Sequence, residues 1–335
     1  MLAGVCISAP RKARRRLQLA ASGDTHFTIT FDSGTPPATV VLGVGDTYAG
    51  PAGTEAAAEY DAGDGVWTGY TSNTITLNGD YLKFRGDWRN AAGTYKNMFY
   101  SSFQSSAYTC RISGTLGYGA TAAYAYNNVF RQNSTVMTLV DNPFQPIIGS
   151  PATDMFRSTF SNSGFTGTLP DGTLDTSGLT GSPATDMFRS TFFNSAFTGT
   201  LPDGTLDTSG LTGSPATSMF RATFNSSKFT GILPDGTLDT SGLTGSPATD
   251  MFYATFYKSK LTGGNLTLGS GITLTSANVV GPLNLMFSGA SDWTGQVYWG
   301  TTLLTTAIPA PDSDINTFAG CVNMPGYATI DANWK

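Results

Sequence analysis

Apolar residues return along much of this chain in two rhythms. In residues 149–180, Met155, Phe156, Thr159 and Phe160 fall at i, i+1, i+4 and i+5, which predicts an apolar stripe on a helix of about two turns, capped by Thr153 or Asp154. Phe165-Thr-Gly-Thr-Leu169 alternates as a short strand does, and Pro170-Asp171-Gly172 reads as a turn. Leu174 and Leu179 flank Asp-Thr-Ser-Gly, and Gly181-Ser-Pro183 resets the chain. The segment then recurs. Gly181–Thr212 differs from Gly149–Thr180 only at Ser161/Phe193 and Gly164/Ala196, Gly213–Thr244 differs from the second copy at six positions, and a fourth copy starts at Gly245 and decays after Gly263. A 32-residue period belongs to stacked-repeat architectures.

With Met-Phe as the anchor, weaker copies extend the series. The anchors are Phe99, Phe130, Phe156, Phe188, Phe220, Phe252, Phe287 and Phe318, spaced 31, 26, 32, 32, 32, 35 and 31 residues apart. No single copy can bury Met155, Phe156, Phe160, Phe165, Leu169, Leu174 and Leu179 alone, so the copies must stack into continuous ladders. The expected fold is therefore an α+β repeat solenoid over residues 95–335. Eight coils at a strand spacing of about 4.8 Å would make a rod about 40 Å long.

Upstream, the pattern changes to period two. His26–Phe31, Thr39–Val44, Trp67–Tyr70, Thr74–Leu77 and Asp80–Phe84 read as strands of a small all-β domain over residues 25–94. Asn78-Gly79 between two such runs predicts a hairpin. Residues 51–65 read as a flexible loop carrying the only glutamates, Glu55 and Glu59.

Charge adds a third segment. Arg11, Lys12, Arg14, Arg15 and Arg16 make residues 1–24 a basic arm, and beyond Arg16 the count is 13 basic against 23 acidic residues. The acidic body should not bind nucleic acid along its length. The arm is either solvated or an assembly contact that docks on a neighbouring subunit, an acidic partner or nucleic acid. A basic cluster that follows a short apolar stretch reverses the order of a Sec signal, so the chain is either not exported by that route or naturally starts elsewhere. One histidine, His26, and three distant cysteines, Cys6, Cys110 and Cys321, argue against a Cys/His zinc cage and a Ser-His-Asp triad. Cys110 and Cys321 fall near opposite ends of the expected rod and should not pair. The longest apolar runs are too short to span a bilayer.

Register turns repeated charges into ladders. Asp171/Asp203/Asp235 and Asp175/Asp207/Asp239 would set like charges about 5 Å apart, at a cost of roughly 1–3 kcal/mol per contact. Asx turns would offset part of that, and bound Ca2+ would offset more. Arg157, Arg189 and Arg221 form a third ladder. It is either a solvated face with local Asp–Arg pairs or an anion-binding ligand face.

Ala152-Thr-Asp-Met-Phe-Arg-Ser-Thr-Phe160, Phe165-Thr-Gly167 and Leu174-Asp-Thr-Ser-Gly-Leu-Thr180 resemble the BspA-like leucine-rich repeats of bacterial surface proteins. Trp67, Tyr70, Leu77-Asn-Gly-Asp80 and Lys83-Phe-Arg-Gly86 are similar to the β-domain that often precedes such repeats in bacterial and phage-encoded proteins. The resemblance implies adhesion or recognition, a leucine-rich-repeat-like fold and no catalytic residues. Partners would be the chain itself as a homo-oligomer, other virion or surface proteins, or a host-surface glycan or protein. Three classes follow. The first is a non-catalytic recognition rod on a bacterial surface or a virion, as a tail fibre or capsid decoration. The second is a self-assembling subunit of a filament, sheath or shell. The third is a solenoid glycan-cleaving enzyme, whose paired carboxylates would be sought where the repeat breaks, near Lys258 and Lys260.

Overall fold

The computed structural model describes residues 26–43, 46–52, 56–117, 119–308 and 311–335. The basic cluster at Arg11–Arg16 and Cys6 lie outside them. Alternation upstream does produce strands. β1 (Phe27–Gly34) buries Phe27, Ile29 and Phe31, and is followed by β2 (Thr39–Val41), β3 (Glu59–Asp61), β4 (Trp67–Gly69), β5 (Thr74–Thr76) and β6 (Tyr81–Arg85). Asn78-Gly79 does not close a hairpin, because β5 pairs with β2 whereas β6 pairs with β1 and β3. The turn is a corner between two sheets. The Asn78 N–H donates to the Ala62 carbonyl at 2.7 Å, and a Cβ on Gly79 would lie 2.4 Å from the Gly63 carbonyl oxygen. The hairpin is β3–β4 instead, with β3 in the segment read as a loop and β4 in the expected Trp67–Tyr70 strand, and in its turn Asp61 Oδ1 accepts from the N–H groups of Gly63 and Gly65 at 3.0 Å each.

Further along come β7 (Tyr108–Ser113), β8 (Val136–Leu139), β9 (Ile148–Gly149), β10 (Phe165–Thr166), β11 (Gly178–Leu179), β12 (Leu266–Leu268), β13 (Val297–Trp299) and β14 (Thr302–Leu303). The main sheet runs β10-β8-β7-β1-β6-β3-β4. Its β7, β8 and β10 come from successive copies and are parallel, while β1 joins β7 antiparallel. One sheet thus crosses from the upstream segment into the repeats, and the buried apolar residues form one continuous core.

The expected α+β solenoid with a helix in every coil does not form. The described residues are 3% helical and 20% strand, in four separate sheets, and their one α-helix is α1 (Leu304–Ala307). The Met-Phe segments are chains of four-residue turns. Asp154, Ser158 and Asn162 have φ of 56°, 56° and 51°, so right-handed winding stops once per turn. Met155, Arg157, Thr159 and Ser161 donate their N–H three residues back, at 3.2–3.3 Å. Asp154, Phe156, Ser158, Phe160 and Asn162 donate instead to Thr185, Met187, Arg189, Thr191 and Phe193 of the next copy, at 2.9–3.0 Å. Donors that close turns alternate with donors that join copies, so the backbone is satisfied without an i→i−4 ladder. Apolar residues four apart suit this arrangement as well as they suit a helix.

This geometry also corrects the register. Phe99, Phe130, Phe160, Phe192, Phe224, Phe256, Phe287 and Phe318 form one stacked file, with ring centroids 4.8–5.9 Å apart. Phe156, Phe188, Phe220 and Phe252 belong to a second file that begins at Tyr95 and Tyr126. The Met-Phe anchor series slips by one turn at Phe156 and back again at Phe287. Spacings along the true file are 31, 30, 32, 32, 32, 31 and 31 residues, without the anomalous 26 and 35.

Candidate functional site

Both ends of the aromatic file are covered. At the first copy, Phe27 stacks on Phe99 at 5.3 Å, Gly43 N–H donates to the Met98 carbonyl at 2.9 Å, and the Tyr48 hydroxyl donates to the Lys96 carbonyl at 2.8 Å. At the last copy, Trp334 packs on Phe318 at 5.7 Å. The N–H groups of Ile315 and Phe318 donate to the Asn333 and Trp334 carbonyls, both at 2.9 Å, and Gly320 N–H donates to the Tyr327 hydroxyl at 3.1 Å. The β-unit therefore takes up the open acceptors of the stack, and the C-terminal segment its open donors. With both ends covered, the side of the stack is the face that stays exposed.

The repeated acids are built into turns on that side. Asp175, Asp207 and Asp239 accept from the N–H groups of Ser177, Ser209 and Ser241 at 3.0, 2.9 and 2.7 Å, each an Asx turn. Two of these carboxylates also pack on the next copy's backbone. A Cβ on Gly204 would lie 2.8 Å from Asp175 Oδ1, and one on Gly236 would lie 2.7 Å from Asp207 Oδ1, which explains the glycine of Pro-Asp-Gly in the second and third copies. Asp171, Asp203 and Asp235 are exposed in those Pro-Asp-Gly turns. Among the described residues, no group of three or more His, Cys, Asp and Glu side chains is placed to share a metal ion.

The arginine ladder lies on the turn face and is paired. Arg157 Nη1 sits 3.2 Å from Asp154 Oδ1 and 3.6 Å from Asp186 Oδ2 of the next copy, and Arg189 Nη1 sits 3.3 Å from Asp186 Oδ2. Where Ser218 replaces the acid of the third copy, Arg221 reaches forward to Asp250 and covers the Tyr253 ring at 4.7 Å. Lys260 pairs with Asp292 at 3.3 Å, and Lys258 lies 5.0 Å over the Tyr257 ring.

Other repeated residues hold a role that the residue pattern alone does not reveal. Thr191 Oγ1 lies 3.0 Å from the Phe156 carbonyl and 2.8 Å from the Phe188 carbonyl, and Thr159, Thr223 and Thr255 repeat this in their own copies. The signal is a threonine kept at one position in four copies, which an amphipathic reading treats as filler on a helix. Leu174, Leu206 and Leu238 are fully buried at φ of 53°, 51° and 54°. Leucine there costs about 1–2 kcal/mol, offset by burial of the side chain.

Cys110 and Cys321 are separate, buried thiols. Desolvation pushes both up to about 12, with the Asp32 charge adding to the effect at Cys110. Burial also raises the Tyr126 phenol to about 12 and raises Tyr48 further, where Asp46 contributes. These shifts arise in packed interior. No described helix is long and apolar enough to cross a membrane. No protein-family model, no curated protein and no solved structure matches this chain.

Proposed function

We propose that this chain is a non-catalytic recognition protein, displayed on a virion as a tail fibre or capsid decoration, or on a bacterial surface. The observation that carries the reading is a stack of near-identical copies whose two ends are both covered. Repetition multiplies one polar side surface, in which Asn, Ser, Asp and Thr occupy the turns, and such a surface suits repetitive ligands such as host-surface glycans. The resemblance of residues 152–180 to BspA-like repeats supports the same class. Covered ends count against a filament that grows by adding chains end to end, as covered sheet edges do.

The test is the native mass by light scattering, with and without a calcium chelator. A particle of 35.1 kDa, unchanged by chelation, is the expected result. A large assembly would overturn the simple recognition module in favour of a structural subunit. Its loss on removing residues 1–16 would make the basic arm the assembly contact.

A further inference from the structure

Unique chemistry in a repeat protein needs a place where the repeat breaks, and the C-terminal part of this chain supplies one. β12, β13 and β14 form their own three-stranded sheet, the chain then makes α1, and the terminal segment folds back over the last copy. Between these elements lies a cleft of about 400 Å³. That size falls within the range of roughly 300–1,000 Å³ for small-molecule sites. Val297, Leu303 and Ile330 contribute an apolar strip, and Gln296, Thr305 and Asp331 contribute polar groups. Thr305 makes no side-chain hydrogen bond among the described residues. Asp331 uses one carboxylate oxygen to accept from Asn333 N–H at 2.9 Å, leaving the other open. Among the described residues, Asp331 is the only charged one lining the cleft, and no cation lines it.

We propose that this cleft binds a neutral monosaccharide or disaccharide, an inference that rests on the recognition reading above. A pyranose offers a C–H face for the apolar strip and vicinal hydroxyls that both donate and accept. Asp331 accepts from such hydroxyls and Thr305 donates or accepts. The Gln296 amide accepts from the Tyr298 hydroxyl at 3.0 Å and donates to the Pro325 carbonyl at 3.5 Å, so it offers its second N–H. A lone carboxylate without a cation repels acidic sugars, so the selectivity is for uncharged ones.

The test is calorimetric titration of the full chain with glucose, galactose, mannose, N-acetylglucosamine and lactose, and with galacturonate and N-acetylneuraminate as acidic counterparts. Binding of at least one neutral sugar is expected, weakened at least about tenfold by Asp331→Asn and several-fold by Thr305→Val. The side-chain amide oxygen introduced by Asp331→Asn would still accept from Asn333 N–H, so the cap survives, and an unchanged melting curve confirms it. Neutral-sugar binding untouched by both variants would overturn the cleft while leaving the recognition reading in place. Binding of acidic sugars alone, or of no saccharide at millimolar concentration, would also overturn the cleft, and the recognition reading would still be judged by the native mass.

Discussion

The interior copies and the two ends of the stack solve the same problem in opposite ways. In copies 149–244 each even-numbered N–H of the turn segment finds a carbonyl in the next copy, so one sequence serves repeatedly and each copy covers its neighbour. At the ends there is no next copy. There the chain spends unrepeated residues: Phe27, Gly43 and Tyr48 at the start, and Tyr327, Asn333 and Trp334 at the finish. Repetition therefore supplies length, whereas the terminal segments decide whether the stack stays a single closed molecule.

The largest expected difference comes from deleting one part of each kind. Excising Gly181–Thr212 joins Thr180 to Gly213, which restores the same junction between copies. We expect a folded monomer with an unchanged circular dichroism shape and a modestly lower melting temperature. Removing residues 322–335 uncovers Phe318 and strands the N–H groups of Ile315 and Phe318. That variant should aggregate or unfold in light scattering. Aggregation of the excision variant alone would reverse the comparison.

Next in size is a contrast between neighbouring residues of one copy. Phe192 is fully buried in the main aromatic file, and Phe192→Ala should cost about 3–5 kcal/mol in urea unfolding. Phe193 is half-buried on the turn face, where the preceding copy carries Ser161. Phe193→Ser should stay within about 0.5 kcal/mol of the parent. Equal losses at the two positions would place residue 193 in the core as well.

That contrast also shows what is legible in the sequence. Copies, turns at Pro-Asp-Gly, the buried aromatic ladders and most upstream strands follow from residue patterns alone. The winding does not, since Met155, Phe156 and Phe160 keep the same spacing on a helix and on a chain of four-residue turns. Only the left-handed backbone at Asp154, Ser158 and Asn162 separates the two, and Asp, Ser and Asn also read as ordinary cap or surface residues. The same four-residue unit hides the slip from Phe160 to Phe156, because a Met-Phe pair on the wrong turn looks like a correct anchor. Of the candidate sites, the Asp175 and Arg157 files are visible as repeats. The cleft near Asp331 is not, because its lining is brought together from residues 296–331 by unrepeated elements.

A smaller effect should come from alkaline pH, and it tests the end of the stack against its start directly. Cys321 lies in the last copy and Cys110 in the strand beside β1, each pushed up to about 12 from an ordinary 9.0. Below pH 9 both thiols are neutral in either state, and their contribution to stability is fully present. Above pH 9 the unfolded chain releases protons that the folded chain retains, so stability falls as pH rises toward about 12. Tyr126 adds to the fall in the upper part of that window. Urea unfolding from pH 8 to pH 11 should show this decline, reduced by Cys321→Ala. A thiol reagent at pH 8 should leave Cys110 and Cys321 unmodified until the protein unfolds.

The smallest effect belongs to the ion pairs of the turn face, the most conspicuous charges of the interior copies. Arg157 bridges Asp154 and Asp186, yet its side chain is 37% exposed, and such a pair is worth about 0–1 kcal/mol after solvent screening. Arg157→Ala should therefore shift the urea midpoint slightly, and 1 M salt should shrink the difference between variant and parent. Arg189→Ala should cost no more, since Ser218 stands where the next acid would be and, among the described residues, Arg189 pairs with Asp186 alone. A loss above about 2 kcal/mol at either position, beyond the range of exposed pairs, would mean that copies are held together by charge on their outer face. The smaller loss follows if the turn-to-turn hydrogen bonds and the aromatic file join them.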